Sequence, residues 1–279
     1  LVSWQAVNLN QIHSTQGRSA TWLGHASVLI KSDGIHVLTD PIFSERASPV
    51  SWLGPKRIKP LPVDPANLPR IDAVVISHNH YDHLDLPSLK RLNSQAGGPP
   101  LFVVPLGNAE LLKRQGISNV KALDWWQRIP VKDGLSVTLV PTQHWSKRNL
   151  LGDRNEALWG GYVIQHRKWQ AFFAGDTGYS KDFADIHARM GDMHFAMIPI
   201  GAYAPRDLMR RQHIDPAEAV PIHQDVRSRR RFGTHCGTFI LPDEALQQPP
   251  LDLATALKKA GLPEVQFPRW AIGETRQLP

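Results

Sequence analysis

Residues 77–85 read SHNHYDHLD, directly after the largely apolar run IDAVVI at 71–76. Three histidines and an aspartate in six positions at the end of a buried-looking strand are poor core material. A solvent-facing loop has no need of so many of them either. In an extended chain His78 and His80 point the same way, while Asp82 and His83 follow the turn and can face a second point in space. Four donors here, with others elsewhere, exceed what a single tetrahedral zinc ion needs.

The other donors stand where apolar strands end. Residues 135–140 run into Pro141-Thr142-Gln143-His144, residues 170–175 into Asp176-Thr177-Gly178, and residues 231–234 into His235. The set His78, His80, Asp82, His83, His144, Asp176 and His235 suits a borderline metal such as zinc, with a carboxylate such as Asp176 able to bridge two ions. Two Zn(2+) ions, or other divalent metals, are therefore expected. Held about 3.5–4 Å apart they would lower the pKa of a bridging water toward neutrality and direct the resulting hydroxide at an electrophile.

Apolar runs predict strands over 21–30, 35–39, 73–77, 101–104, 135–140, 161–165, 170–174 and 194–200, and helices over 86–94, 108–115, 181–190, 216–225 and 252–261. The fourth helix has a strong start signal: Asp215 as N-cap, Pro216 at the first helical position and Glu218 in the first turn. Strands come in runs early and mix with helices later, which predicts an α+β fold, a layered αββα sandwich, with helices outside sheets. No repeat, low-complexity tract or clear linker divides the sequence, and residues 1–279 are expected to form one domain.

The H-x-H-x-D-H run, His144 at a strand end, Gly-Asp-Thr-Gly around Asp176 and the late His235 resemble the metallo-β-lactamase superfamily of binuclear hydrolases. The resemblance implies His78, His80 and His144 on one metal, Asp82, His83 and His235 on the other, and Asp176 bridging. The stretches TWLGHASVLI, LTDPIFSERASP, GPKRIKP, LPRIDAVVISHNHYDHLD, LDWW, QHWSKR, FFAGDTGY, IPIGAYAPR and QHIDPAEAV are similar to the group of N-acyl-phosphatidylethanolamine-hydrolysing phospholipases D and its bacterial relatives. That implies a phosphodiesterase releasing N-acylethanolamine and phosphatidic acid, with a homodimer and peripheral membrane contact. Alternatives are a lactonase or small phosphoester hydrolase of the same superfamily, or a metal-dependent nuclease.

Among the remaining polar residues, Asp40 at a strand end is a candidate orienter of a metal-binding histidine, and Asp82 a candidate proton acceptor. The resemblance implies His213 at the substrate phosphate, with Gln212, Arg206, Tyr203 and His25 as further candidates for substrate binding. His25 is expected within a strand, reaching the site from beneath. Trp125, Trp126 and Trp145 are candidates for an acyl-chain groove. Cys236 stands after His235 where the resembled group more often has tryptophan, and it changes the wall of the pocket.

The net charge of +7 is gathered in clusters such as Arg210-Arg211 and Arg229-Arg230-Arg231 and attracts phosphates of any kind; no nucleic-acid partner is expected from the motifs. No apolar run approaches the ~20 residues of a membrane span. The single cysteine precludes an intrachain disulfide, which favours a cytoplasmic or membrane-peripheral protein. The opening LVSWQAVNLNQ has neither Met nor a signal pattern, so a trimmed or processed N-terminus is expected.

Overall fold

Alternate residues of the early strands belong to two different cores. In the computed structural model, which describes residues 2–149, 152–241 and 243–279, Val28, Ile30, Val37, Ala73, Val75 and Val103 join one buried cluster. Their chain neighbours Leu29, Leu38, Val74, Phe102 and Val104 join another. Side chains alternate across a strand, so this sheet is covered on both faces.

The sheet comprises β1 (Arg18–Gly24), β2 (Ser27–Ser32), β3 (Ile35–Thr39), β4 (Ala73–Val75), β5 (Leu101–Pro105) and β6 (Val120–Leu123), with β13 (Thr275–Leu278) beside β1. The second sheet runs in the order β12-β11-β10-β9-β8-β7, from β7 (Arg128–Lys132), β8 (Leu135–Val140), β9 (Gly161–His166), β10 (Trp169–Phe173), β11 (Phe195–Pro199) and β12 (Arg230–Thr234). The first cluster fills the space between the sheets, where Val37, Val103, Leu139, Tyr162 and Phe172 meet.

Helices close the outside. The first sheet is covered by α1 (Leu9–Ser14), α2 (Leu86–Asn93) and α3 (Ala109–Lys113), whose Ile12, Leu89 and Leu112 lie in the second cluster. Next come α4 (Asp182–Met190), the short α5 (Arg206–Met209), α6 (Pro216–Asp225) and α7 (Gln248–Lys259). Phe183 of α4, Ile222 of α6 and Leu257 of α7 complete the packing of the second sheet. The layered αββα sandwich is the observed fold. No helix among the described residues is long and apolar enough to cross a membrane.

Three local outcomes differ from the sequence expectation. Residues 21–30 are two antiparallel strands, because Gly24 (φ 106°) and His25 (φ 52°) turn the chain back on itself. His25 is therefore a turn residue, not a strand residue. β6, β7 and β13 escape the hydrophobic pattern because they lie at sheet edges and carry Lys121, Arg128, Lys132 and Arg276. α7 begins four residues earlier than expected, at Gln248, with Pro249 in its first turn, where a missing N–H leaves nothing unpaired. α6 has the expected bounds and the full capping box: the Asp215 carboxylate accepts from the Glu218 N–H (2.9 Å), and Glu218 reaches back to the Asp215 N–H (3.3 Å).

Tyr162 of β9 crosses the interface between the sheets. Its buried hydroxyl lies 3.0 Å from the Ile76 carbonyl and 3.2 Å from that of Val103, one residue before the histidine-rich run begins at Ser77. Tyr162→Phe should lower stability by about 1–3 kcal/mol, since it removes a donor from buried carbonyls. The check is the midpoint of urea unfolding at unchanged slope.

Candidate metal centre

Each strand end delivers donors to one place because β4, β8, β10 and β12 all finish at the same edge of the sandwich. The chain leaving β4 carries His78, His80, Asp82 and His83; β8 leads to His144, β10 to Asp176 and β12 to His235. Gly175 (φ 62°) makes the turn between β10 and Asp176, and a Cβ there would lie 2.6 Å from the Ser77 Cβ. Only glycine fits that crossing.

The donor atoms fall into two groups. His78 Nε2 lies 2.9 Å from His80 Nδ1, and His144 Nε2 lies 3.4 Å from the same atom. Asp82 Oδ2 lies 3.2 Å from His83 Nε2 and 3.3 Å from His235 Nε2. Between the groups stands Asp176 Oδ2, 3.1 Å from His83 Nε2, 3.2 Å from His235 Nε2, 3.9 Å from His78 Nε2 and 4.0 Å from His144 Nε2. All seven residues named from the sequence are brought together.

Hydrogen bonds from the outer ring nitrogens fix which nitrogen points inward. His83 Nδ1 donates to Asp40 Oδ2 (2.6 Å), His144 Nδ1 to the Gln212 carbonyl (2.8 Å), and His78 Nδ1 to Ser77 Oγ (2.9 Å). Asp40 is itself held by Ser77, through its N–H (2.7 Å) and Oγ (2.5 Å). Ser77 is a member of the site that the sequence reading missed; its place directly before His78 was the available signal. His25 Nε2 donates to Asp82 Oδ2 (2.9 Å), and the ring lies edge-on against Phe239.

The inward atoms lack protein partners. His83 Nε2, His235 Nε2 and Asp176 Oδ1 are buried without a hydrogen bond, an arrangement that is costly unless something bonds them. Burial pushes His78 and His144 well below the usual imidazole range and takes His25 down to about 3. Burial also opposes charge on His83 and His235, but Asp176 and Asp82 outweigh it, holding His83 well above that range and His235 at about 9. The cluster demands positive charge at its centre. Nitrogen and carboxylate donors around such a centre fit a divalent cation, which would take the place of those protons.

The centre opens into a cleft of about 400 Å³ lined by Tyr81, Trp145, Lys147, Met209, His213 and Leu241 among others. His213 Nδ1 lies 3.8 Å from Asp176 Oδ2, and burial lowers its pKa to about 4, so the ring enters the cleft neutral. Gln212 borders the cleft, and its backbone carbonyl holds His144. Lys147, unremarked in the sequence, also borders the cleft; it lies three residues beyond His144.

Two expected substrate residues have other partners. The Arg206 guanidinium pairs with Asp215 (3.2 Å) and Glu218 and donates to the His213 carbonyl (2.6 Å), so it braces the loop that carries His213. The Tyr203 hydroxyl donates to Asp252 of α7 (2.5 Å). Of the tryptophans, Trp145 borders the cleft, whereas Trp125 donates to the Trp159 carbonyl and Trp126 lies under Arg189.

The model of the family described as "Beta-lactamase superfamily domain" matches residues 36–236. The chain belongs to the metallo-β-lactamase superfamily. It is 40% identical over 243 residues to the N-acyl-phosphatidylethanolamine-hydrolyzing phospholipase D 1 of Caenorhabditis elegans, covering 84% of this chain and 67% of that one. The mitochondrial enzyme of that name from Saccharomyces cerevisiae is 38% identical over 235 residues, covering 82% and 49%. The chain thus spans about half to two thirds of the length of these curated relatives. A metal-dependent hydrolase of Methanopyrus kandleri is 30% identical over 211 residues, covering 73% and 82%. Among solved structures, isothiocyanate hydrolase from Delia radicum gut bacteria shares the metallo-β-lactamase fold with a TM-score of 0.72 at 21% identity, covering 92% of this chain and 98% of that one. Within that superfamily the chain is similar to the N-acyl-phosphatidylethanolamine-hydrolyzing phospholipases D and to metal-dependent hydrolases.

Asp40 is fully buried, and it fixes the His83 ring. Asp40→Ala should weaken metal retention by roughly 10–100-fold, read by competition with a chromogenic chelator.

Proposed function

We propose that residues 1–279 form one hydrolase domain that binds two zinc ions and hydrolyses N-acyl-phosphatidylethanolamine-like phospholipids to N-acylethanolamine and phosphatidic acid. The observation that carries the reading is a cleft with two kinds of lining: the donor groups about Asp176 together with His213 and Lys147, and the apolar Trp145, Met209 and Leu241. A phosphodiester with a hydrocarbon tail matches both.

In this reading His78, His80 and His144 would hold one ion and Asp82, His83 and His235 the other, with Asp176 within reach of both groups. Such a pair supplies Lewis acidity and a water that deprotonates near neutral pH. Asp82 accepts the proton of the attacking water, with His25 keeping its carboxylate in place. Asp40 acts through His83 as a positioning residue. His213 donates a hydrogen bond to a phosphoryl oxygen as charge grows there, and Lys147 adds a cation to the cleft. The water oxygen bonds to phosphorus as the bond between phosphorus and the ethanolamine oxygen breaks, and the proton taken up by Asp82 passes to the leaving oxygen.

Leu208 and Ile240, 71% and 62% exposed, adjoin Met209 and Leu241 of the cleft. They would let the cleft meet a lipid surface, consistent with a cytoplasmic or membrane-peripheral location. A homodimer belongs to the same proposal.

Purified protein should release N-acylethanolamine from N-acyl-phosphatidylethanolamine in mixed micelles, lose that activity to a chelator and regain it with zinc. His213→Ala should lower kcat by roughly 10²–10³-fold at unchanged metal content, and Asp176→Asn should lose both metal and turnover. Intact lipid together with cleavage of small soluble esters would give the function to the lactonase or small-phosphoester alternative; chelator-sensitive cleavage of RNA or DNA would give it to the nuclease.

A further inference from the structure

The donors that follow β4 are not all held in the same way. His78 and His83 each have an acceptor on the outer ring nitrogen, as does His144 beyond β8, and Asp82 accepts from His25. His80 has none. Its Nδ1 faces His78 and His144, and its Nε2 is buried without a hydrogen bond among the described residues. A metal-binding imidazole needs its orientation fixed, and for His80 no side-chain acceptor does it.

Arg148 does it through the backbone. Its Nη1 donates to the carbonyls of Asn79 (3.0 Å) and Leu84 (2.8 Å), which flank His80, Asp82 and His83. No other hydrogen bond reaches either carbonyl among the described residues. Between them the guanidinium lies 4.2 Å from the centre of the Tyr81 ring, and the Tyr81 hydroxyl donates back to the Arg148 carbonyl (3.1 Å). The His80 carbonyl accepts from the N–H groups of His83 (3.1 Å) and Leu84 (2.8 Å), so the backbone at His80 is tied to the residue whose carbonyl Arg148 holds.

Arg148 is itself anchored. The Asp153 carboxylate accepts from the N–H groups of Arg148 (3.0 Å) and Asn149 (3.0 Å). Trp145, on the same segment, sets its ring edge-to-face against His80, 4.5 Å between centres. That segment begins at His144, so one guanidinium joins the two loops that carry His80 and His144 to the same group of donors. Hydrogen bonds from a charged donor are the stronger kind, which suits a clamp.

We infer that Arg148 is a positioning residue for His80 and, through it, for the ion assigned above to His78, His80 and His144. The inference rests on the two-ion reading and not on the phospholipid. Asp82 and His83 share the clamped loop but have side-chain partners of their own, His25 and Asp40, so the other ion does not depend on Arg148 in the same way. Arg148 also borders the cleft, which makes direct contact with substrate the role to be told apart.

The test is chelator competition on the full chain reloaded with cobalt(II), read as the affinity of each ion. Arg148→Met, which keeps the reach of the side chain and removes its donors, should weaken one ion by roughly 10–100-fold and leave the other unchanged. In a His144→Ala background, where that ion's site is already broken, adding Arg148→Met should not change the remaining affinity. Arg148→Lys, which keeps a cation and a donor, should recover part of the loss. Should Arg148→Met fail to fold, Asp153→Asn carries the same test with the guanidinium intact and should weaken the same ion. Turnover gives a second readout: kcat should fall at unchanged KM, and excess metal should restore it. Equal loss of both ions, full retention of both, or a raised KM with both retained overturns the inference; binding of a single ion by the unaltered protein overturns it together with the two-ion reading. The expected cobalt pattern in a protein that leaves N-acyl-phosphatidylethanolamine intact would overturn the phospholipid reading and leave the clamp standing.

Discussion

Two carboxylates, the buried Asp176 and the partly buried Asp82, lie within reach of the same two imidazole nitrogens, and the rest of the structure is arranged to make that tolerable. Moving an ion out of water costs several kcal/mol even after relaxation, and like charges so close add to the cost. The compensation is positive charge at the same spot. His83 and His235 carry it as protons when nothing else does, and a divalent cation carries it better because it bonds the orphaned inward atoms. A chain that buries this cluster is thereby committed to metal binding.

That commitment reaches outward through the backbone. His25, Asp40, Ala202 and His235 all have positive φ (52°, 32°, 66° and 59°), a region in which non-glycine residues are strained by about 1–3 kcal/mol each. Short hydrogen bonds hold them there. The His25 carbonyl accepts from the Trp22 indole (2.9 Å) and the His235 N–H (3.1 Å), and the His25 N–H donates to Thr238 Oγ (2.6 Å). Gly201 is needed alongside, since a Cβ would lie 2.1 Å from the His235 carbonyl oxygen. These four strained residues stand around the metal centre, where the packed sheets over-determine the chain.

How much of this could be read beforehand depended on the range of the interaction. The donors of the histidine-rich run and the helix start at Asp215 were legible because their partners lie within a few residues. His144, Asp176 and His235 were legible because each ends an apolar run. The protein partners of Arg206 and Tyr203 could not be read beforehand, because Asp215 and Asp252 reach them only once α6 and α7 are in place. His25 was placed in a strand because hydrophobicity does not register a change of direction; its bond to Asp82 spans 57 residues. The polar edge strands escaped because their partly exposed surfaces need no apolar pattern.

The sequence by itself determined the donor inventory, the layered α+β architecture and the kind of chemistry, because residue type dictates what can bind a metal and period dictates what can form a sheet. Only the tertiary structure decided the grouping of the donors about Asp176 and the engagement of Arg206 within the protein. Those depend on where four strand ends converge, and no stretch of chain encodes a distance to another.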